Sequence, residues 1–362
     1  MAAPAALATG APTRPADDDE VIAELPRTPP PRIVGTPVSP AIAARLAQLY
    51  VLRARETGDP RYLGYAQGLL GSGWTAADAP DEILLLRATL HQAQHRFDEA
   101  LADLELLLAR TPAHRQARLT RATVLRVLGR YPEALAACPP GQGPSDLPAE
   151  LCRHAVRGLM GAVEATRDAL EALGAGVSAQ PVDVQQWYWA ERGELYERLG
   201  DRAAAATAYE SGIRLGGATL GLRVALADLH LGAGEPSAAL AAVGDAAGID
   251  ALLLRQALAL KALTRPGHEP LVAGIREGQQ AVRRRGESPH LREEALLALD
   301  YHRDAAQALR LARENWGQQR EPADTRLLWR AARASGDRAV LEELKAWCLA
   351  SGYRDAVLEW PR

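Results

Sequence analysis

His91 and His95 stand four residues apart, so on a helix they share one face in the spacing that two-histidine metal sites use. No acid or third histidine lies at ligand spacing beside them. A packing role for His91 and a turn role for His95 therefore account for the pair, and His290 and His302 are isolated. The carboxylate pairs Glu194/Glu197 and Glu293/Glu294 suggest general acid–base work, which needs a cleft that desolvates one member and raises its pKa. A solvent-lined helix face does not provide one, so these read as surface charge. HExxH, G-x-S-x-G, a P-loop and CxxC are all missing from the chain. The glycine pairs in GLLGSG (68–73), LGAG (173–176) and LGAGEPS (231–237) fall where helices stop, with no preceding strand to build a phosphate site. The expectation is a chain that is not an enzyme and holds no cofactor and no metal.

Cys138, Cys152 and Cys348 are odd in number and widely spaced, unlike a disulfide framework or a zinc site. A single bridge from Cys138 to Cys152 across the intervening loop is open to the chain, but three reduced, packed cysteines are the expectation.

The elements that carry these residues are read from composition. Hydrophobic residues make up 48% of the 362 positions, a globular fraction, yet Phe97 is the only phenylalanine and aromatics total 5%. Ala and Leu dominate, and both are strong helix formers, whereas strand-favouring residues are sparse. Lys261 and Lys345 are the only lysines, a pattern of codon bias in a GC-rich genome. The net charge of −3 comes from interleaved acids and bases, which leaves no global field for nucleic acid or an anionic membrane. The strongest basic run, Arg283 to Arg285, reads as a solvated helix end. No stretch of uncharged apolar residues is long enough to span a bilayer.

Residues 1–37 are rich in Ala, Pro and Thr, and Pro26, Pro29, Pro30, Pro31 and Pro37 forbid a continuous helix. This segment reads as a flexible leader similar to the stretch that follows a removed export signal. With such a signal the expected compartment is the bacterial periplasm, and without one the cytoplasm.

From 38 to 362 a period appears. The clearest unit is 81–114, DEILLLRATLHQAQHRFDEALADLELLLARTPAH, with two amphipathic stretches, small residues Ala88 and Ala100 at the helix crossing, and Pro112 at the close. Ala122, Gly129, Tyr131 and Ala134 take matching slots in the next unit. Trp189, Gly193, Tyr196, Gly200, Ala205 and Tyr209 do so in 186–219. Turn slots at Gly58, His95, Gly129, Gly200, Gly234, Arg303 and Gly336 are separated by 37, 34, 71, 34, 69 and 33 residues. The two long intervals each hide a degenerate unit, in 147–174 and 250–285.

These units resemble the tetratricopeptide repeat family over about nine-tenths of the chain. Phrases such as GDPRYLGYAQ (58–67) are similar to those of uncharacterised proteobacterial repeat proteins, some of them exported. The resemblance implies an all-α, right-handed superhelix of about nine helix pairs with a carboxy-terminal capping helix over the Gly352–Arg362 tail. It also implies a concave groove lined by the first helix of each pair, suited to an extended peptide or a partner helix. Carried onto this sequence, the groove comprises Leu85, Thr89, Gln92, Leu119, Thr123, Arg126, Trp187, Glu194, Glu197, Val224, Asp228, Lys261, Glu293, Asp300, Arg326 and Arg330. Its charge runs from neutral through an acidic middle at 194–228 to a basic end, with Trp187 as an exposed aromatic anchor. The implied function is a non-catalytic scaffold or adaptor whose protein or peptide partner brings a basic segment to the acidic middle. The second reading is an accessory subunit whose groove holds a metal, small molecule or glycan beside an enzyme or transporter.

Overall fold

A computed structural model describes residues 39–141, 146–246, 248–284 and 290–359. The leader 1–37, Arg285 and Trp360 lie outside the described residues. Among those described the chain is helical without strands, in nine antiparallel pairs. The first three pairs are Pro40–Thr57 with Arg61–Leu70 (α1, α2), Asp81–Ala93 with Phe97–Arg110 (α3, α4), and Arg115–Val127 with Tyr131–Ala137 (α5, α6). Leu147–Leu159 with Val163–Leu173 (α7, α8), Val182–Leu199 with Arg202–Arg214 (α9, α10), and Leu220–Gly232 with Pro236–Val243 (α11, α12) follow. Asp250–Ala262 with His268–Arg284 (α13, α14), Leu291–Leu296 with Ala305–Gln318 (α15, α16), and Pro322–Ser335 with Arg338–Ser351 (α17, α18) complete the array.

One backbone feature marks every pair. The turn between its helices carries a residue with positive φ: Gly58, His95, Gly129, Gly161, Gly200, Gly234, Thr264, Arg303 and Gly336. Seven of these are the turn slots read from the period. Gly161 and Thr264 are the turns of the two degenerate units; both fall off the regular spacing, and Thr264 is also not a residue type expected at positive φ. A π-helical stretch at Leu297–His302 extends α15 and delays its turn to Arg303.

Packing explains the small residues. At Gly193 on α9, an added Cβ would lie 2.2 Å from the Tyr209 ring, so the glycine lets α10 press an aromatic face onto the helix backbone. Consecutive first helices are tied by ion pairs about one repeat apart. Arg255, 1% exposed, forks onto Asp228 at 2.8 Å, and Arg292 reaches Asp324 at 2.6 Å. Within pair two, Arg87 and Asp103 form a buried pair, while Arg87 Nη1 donates to the carbonyls of Trp74 and Ala76 at 3.1 and 2.9 Å.

Two expectations change. Cys138 and Cys152 are joined in a disulfide rather than reduced, because α6 stops at Ala137 and its end abuts the middle of α7; Cys348 is free and buried. The tail after Gly352 has no helix through Glu359. It is an irregular segment that buries Tyr353 and Leu358 while Val357 stays exposed.

Candidate partner-binding surface

The expected groove positions on the first helices are half-buried or paired with other parts of the chain, and the windings meet one another. The turns of the early pairs meet the late pairs in order. His95 Nδ1 lies 3.1 Å from Gln319 Oε1, and the Arg320 N–H donates to the Val127 carbonyl at 2.6 Å, beside Gly129. An added Cβ at Gly161 would sit 2.7 Å from the Gly352 carbonyl oxygen. The Ala356 N–H donates to the Arg198 carbonyl at 2.8 Å, beside Gly200. Pair one closes likewise, with Gly58 packed against Leu220 and Ile249. Each winding of the solenoid therefore rests its edge on the next.

This closure decides where the expected groove residues lie. Leu85, Leu119 and Val224 are half-buried against the apolar core, and Thr89 and Thr123 turn their hydroxyls back to the carbonyls of Leu85 and Leu119. Gln92 is half-buried beside them. Trp187 is half-buried, and its indole N–H donates to Glu191 at 2.9 Å. The charged positions meet one another. Arg126 pairs with Glu191, Asp228 and Glu293 flank Arg255, Asp300 pairs with Arg330, and Lys261 lies 4.2 Å over the Tyr301 ring. Glu197 on α9 and Arg326 on α17 form an ion pair across 129 residues of sequence, and Arg326 also donates to Asp355 at 2.7 Å. The acidic middle and the basic end, read as separate stretches of one open groove, contact each other within one molecule.

Glu194/Glu197 are accordingly not solvated surface charge. Glu194 has Arg198 Nε at 3.9 Å as its nearest cation and keeps 27% of its side chain accessible. Burial, helped by the neighbouring Glu191 charge and opposed by Arg126 and Arg198, pushes its carboxyl up to about 7. Glu294 is buried too and pairs with Arg283, while Glu293 is held below the usual range by Arg255 and Arg292 against the effect of burial. At Arg126 burial disfavours the charge, but Glu191, Glu194 and Glu321 outweigh it and keep the guanidinium protonated.

The Glu194 shift has a pH consequence. A folded-state pKa near 7 against about 4.5 unfolded means that the folded chain holds the proton more tightly. Its contribution to stability is complete below the unfolded value and is lost as pH rises through 7, by on the order of 2 kcal/mol after allowing for partial solvation. Denaturant melts should show Glu194→Gln gaining on the wild type from pH 5 to pH 8; a pH-independent difference would contradict the burial.

Sequence reading missed Glu191, Arg198, Gln319, Tyr353 and Asp355. Glu191 shares the α9 face with Glu194, so helical spacing could have added it. Arg198, four residues after Glu194 on the same helix, could have been added likewise; Gln319, Tyr353 and Asp355 are brought in by the closure and leave no local signal. His91 is buried on Trp74, with ring centroids 4.7 Å apart, and His95 faces His290 at 6.0 Å over a cavity of about 200 Å³ that Arg292, Glu293 and Glu321 also line. Among the described residues no group of three His, Cys, Asp or Glu is arranged to hold a metal ion, and no helix is long and apolar enough to cross a membrane.

No family model matches the chain, and no curated protein matches it in sequence. Solved structures do. A tetratricopeptide repeat protein from Parabacteroides merdae aligns at 13% identity over 79% of this chain and 99% of its own, with a TM-score of 0.39. The APC/C heterotetramer Cut9–Hcn1 aligns at 15% identity with a TM-score of 0.51, over 89% of this chain and 64% of that one. The second likeness, with the nine helix pairs of this chain, shows the fold: an all-helical solenoid of the tetratricopeptide type.

Proposed function

We propose that the chain is a non-catalytic protein-interaction scaffold whose acidic α9 face takes a partner segment carrying Arg or Lys. The observation that supports this reading is the Arg326 guanidinium held between Glu197 and Asp355, which displays the chemistry the face accepts. In the closed form the ninth pair holds that place. A partner binds by displacing it, and the positions from Leu85 to Arg126 and from Trp187 to Asp228 then supply the walls. An extended, solenoid-lined face of this kind recognises a strand-like or helical segment through a few anchors along its length.

Peptide display against the full-length chain tests this. Arg326→Ala should enrich basic peptides over wild type, and adding Glu194→Ala with Glu197→Ala should abolish the enrichment. Selection of peptides without basic residues, or none at all from the Arg326→Ala chain, would remove the reading. The Cys138–Cys152 bridge supports an oxidising compartment for the protein, in keeping with export.

A further inference from the structure

A second cavity, of about 460 Å³, opens where the carboxy-terminal cap meets pairs four and five. Its size falls within the roughly 300–1,000 Å³ of small-molecule sites. Val163 of α8, Leu199 of α9, Leu349 of α18 and Leu358 of the tail form apolar walls. Leu349 is 77% exposed, a large aliphatic side chain left in water at the lining.

The charges around this cavity do not balance. Arg354 and Glu164 neutralise each other at 3.2 Å, and Asp355 is committed to Arg326 at 2.7 Å. Two cations remain. Arg198 is buried, donates through Nη1 to the Gly158 carbonyl at 2.8 Å and has no hydrogen-bond acceptor for its Nε. Among the described residues its one acid within 4 Å is Glu194, at 3.9 Å. Lys345, half-buried on the lining, has no carboxylate partner among the described residues. An apolar wall beside an ammonium without a carboxylate partner fits a ligand with an apolar chain and one anionic end.

We infer that this cavity is a binding site for a carboxylate carried on an apolar chain, with Lys345 as the partner of the carboxylate and Leu349 and Leu358 packed along the chain. The site takes Arg198 and Leu199 from α9 but not the Glu194 and Glu197 carboxylates, and it does not depend on the partner proposed for them. It is built from both sides of the closure, so the ligand binds the closed form and holds it.

Isothermal titration of the full-length chain with decanoate below its micelle concentration tests the assignment. Decanol and decyltrimethylammonium serve as uncharged and cationic controls, and an acetylated peptide ending in leucine serves as the alternative source of the carboxylate. Saturable binding of decanoate or of the peptide is expected, and whichever binds identifies the source. Loss of a charged hydrogen bond should weaken that binding about tenfold or more in Lys345→Glu, and Leu349→Asp should weaken it as well. Both positions reach solvent, and circular dichroism confirms that the variants fold. Binding of neither carboxylate, equal binding of the cation, or unchanged affinity in Lys345→Glu would overturn the inference.

Discussion

Replacing Arg326 with alanine is expected to cost about 4 kcal/mol of stability and to release the ninth pair from pairs three to five. The side chain compensates two interior carboxylates at once, Glu197 and Asp355, and the Asp355 carboxylate is fully buried. Each acid keeps one hydroxyl donor, Tyr209 for Glu197 and Tyr353 for Asp355, both at 3.0 Å. A hydroxyl satisfies a lone pair but does not balance a charge, so two interior anions would face each other without a cation between them. Repulsion then acts along the seam that Arg326 closes. Lysine should rescue the defect only in part, because its three donors sit on one nitrogen and do not reproduce the spread of Arg326 Nε on Asp355 and Nη1 on Glu197. Denaturant unfolding reads the stability loss, and small-angle scattering reads the accompanying rise in radius of gyration. A loss below about 1 kcal/mol, the range of exposed pairs, would place the Glu197–Arg326 contact in solvent.

Breaking the Cys138–Cys152 bridge is expected to cost about 3 kcal/mol, the loop-closure value for a ring of about this size. The bridge sits where α6 stops at Ala137, so it substitutes for helix packing missing there. Arg118 and Arg153 add hydrogen bonds to the Cys138 and Pro139 carbonyls at 3.3 and 2.7 Å, but neither ties the two helices covalently. The thiol count is distinctive. Burial pushes the Cys348 thiol up to about 12, so the native chain should react with no thiol reagent at neutral pH. The denatured, unreduced chain should show one thiol, and the reduced chain three. Three thiols before reduction would contradict the bridge, and an unchanged melting curve after Cys138→Ser with Cys152→Ser would contradict its structural role.

Architecture was legible in the sequence because it is local. Apolar spacing, the Ala88 and Ala100 crossing residues and the turn slots all report contacts within one pair, and seven of the nine turns were found that way. Thr264 was hidden because a β-branched residue is not expected at positive φ. The buried ion pairs were half visible. Arg255 within LLLRQALAL and Asp103 within LADLELLL each interrupt an apolar run, and a charge on a buried face requires a partner about one helix or one repeat away. The closure was not legible. Contacts such as His95 with Gln319 and Glu197 with Arg326 join residues more than a hundred positions apart and depend on superhelical pitch, to which the repeat period is blind. The acidic middle and basic end did carry the information. Both were assigned to one open groove with the acidic middle reserved for a partner's basic segment, whereas the fold first brings the two stretches together within one chain. The same blindness hid the Lys345 cavity, whose walls come from pairs four, five and nine.

Amide hydrogen exchange at Arg320 and Ala356 tests the closed superhelix most directly. Each N–H donates across the seam, to Val127 at 2.6 Å and to Arg198 at 2.8 Å, and neither residue lies in a helix. The closed form predicts that both amides are strongly protected in the wild-type chain and lose that protection in Arg326→Ala, while amides inside α3 and α9 stay slow. Exchange of Arg320 and Ala356 at unprotected rates in the wild-type chain would show that the windings do not rest on one another, and the account would fall.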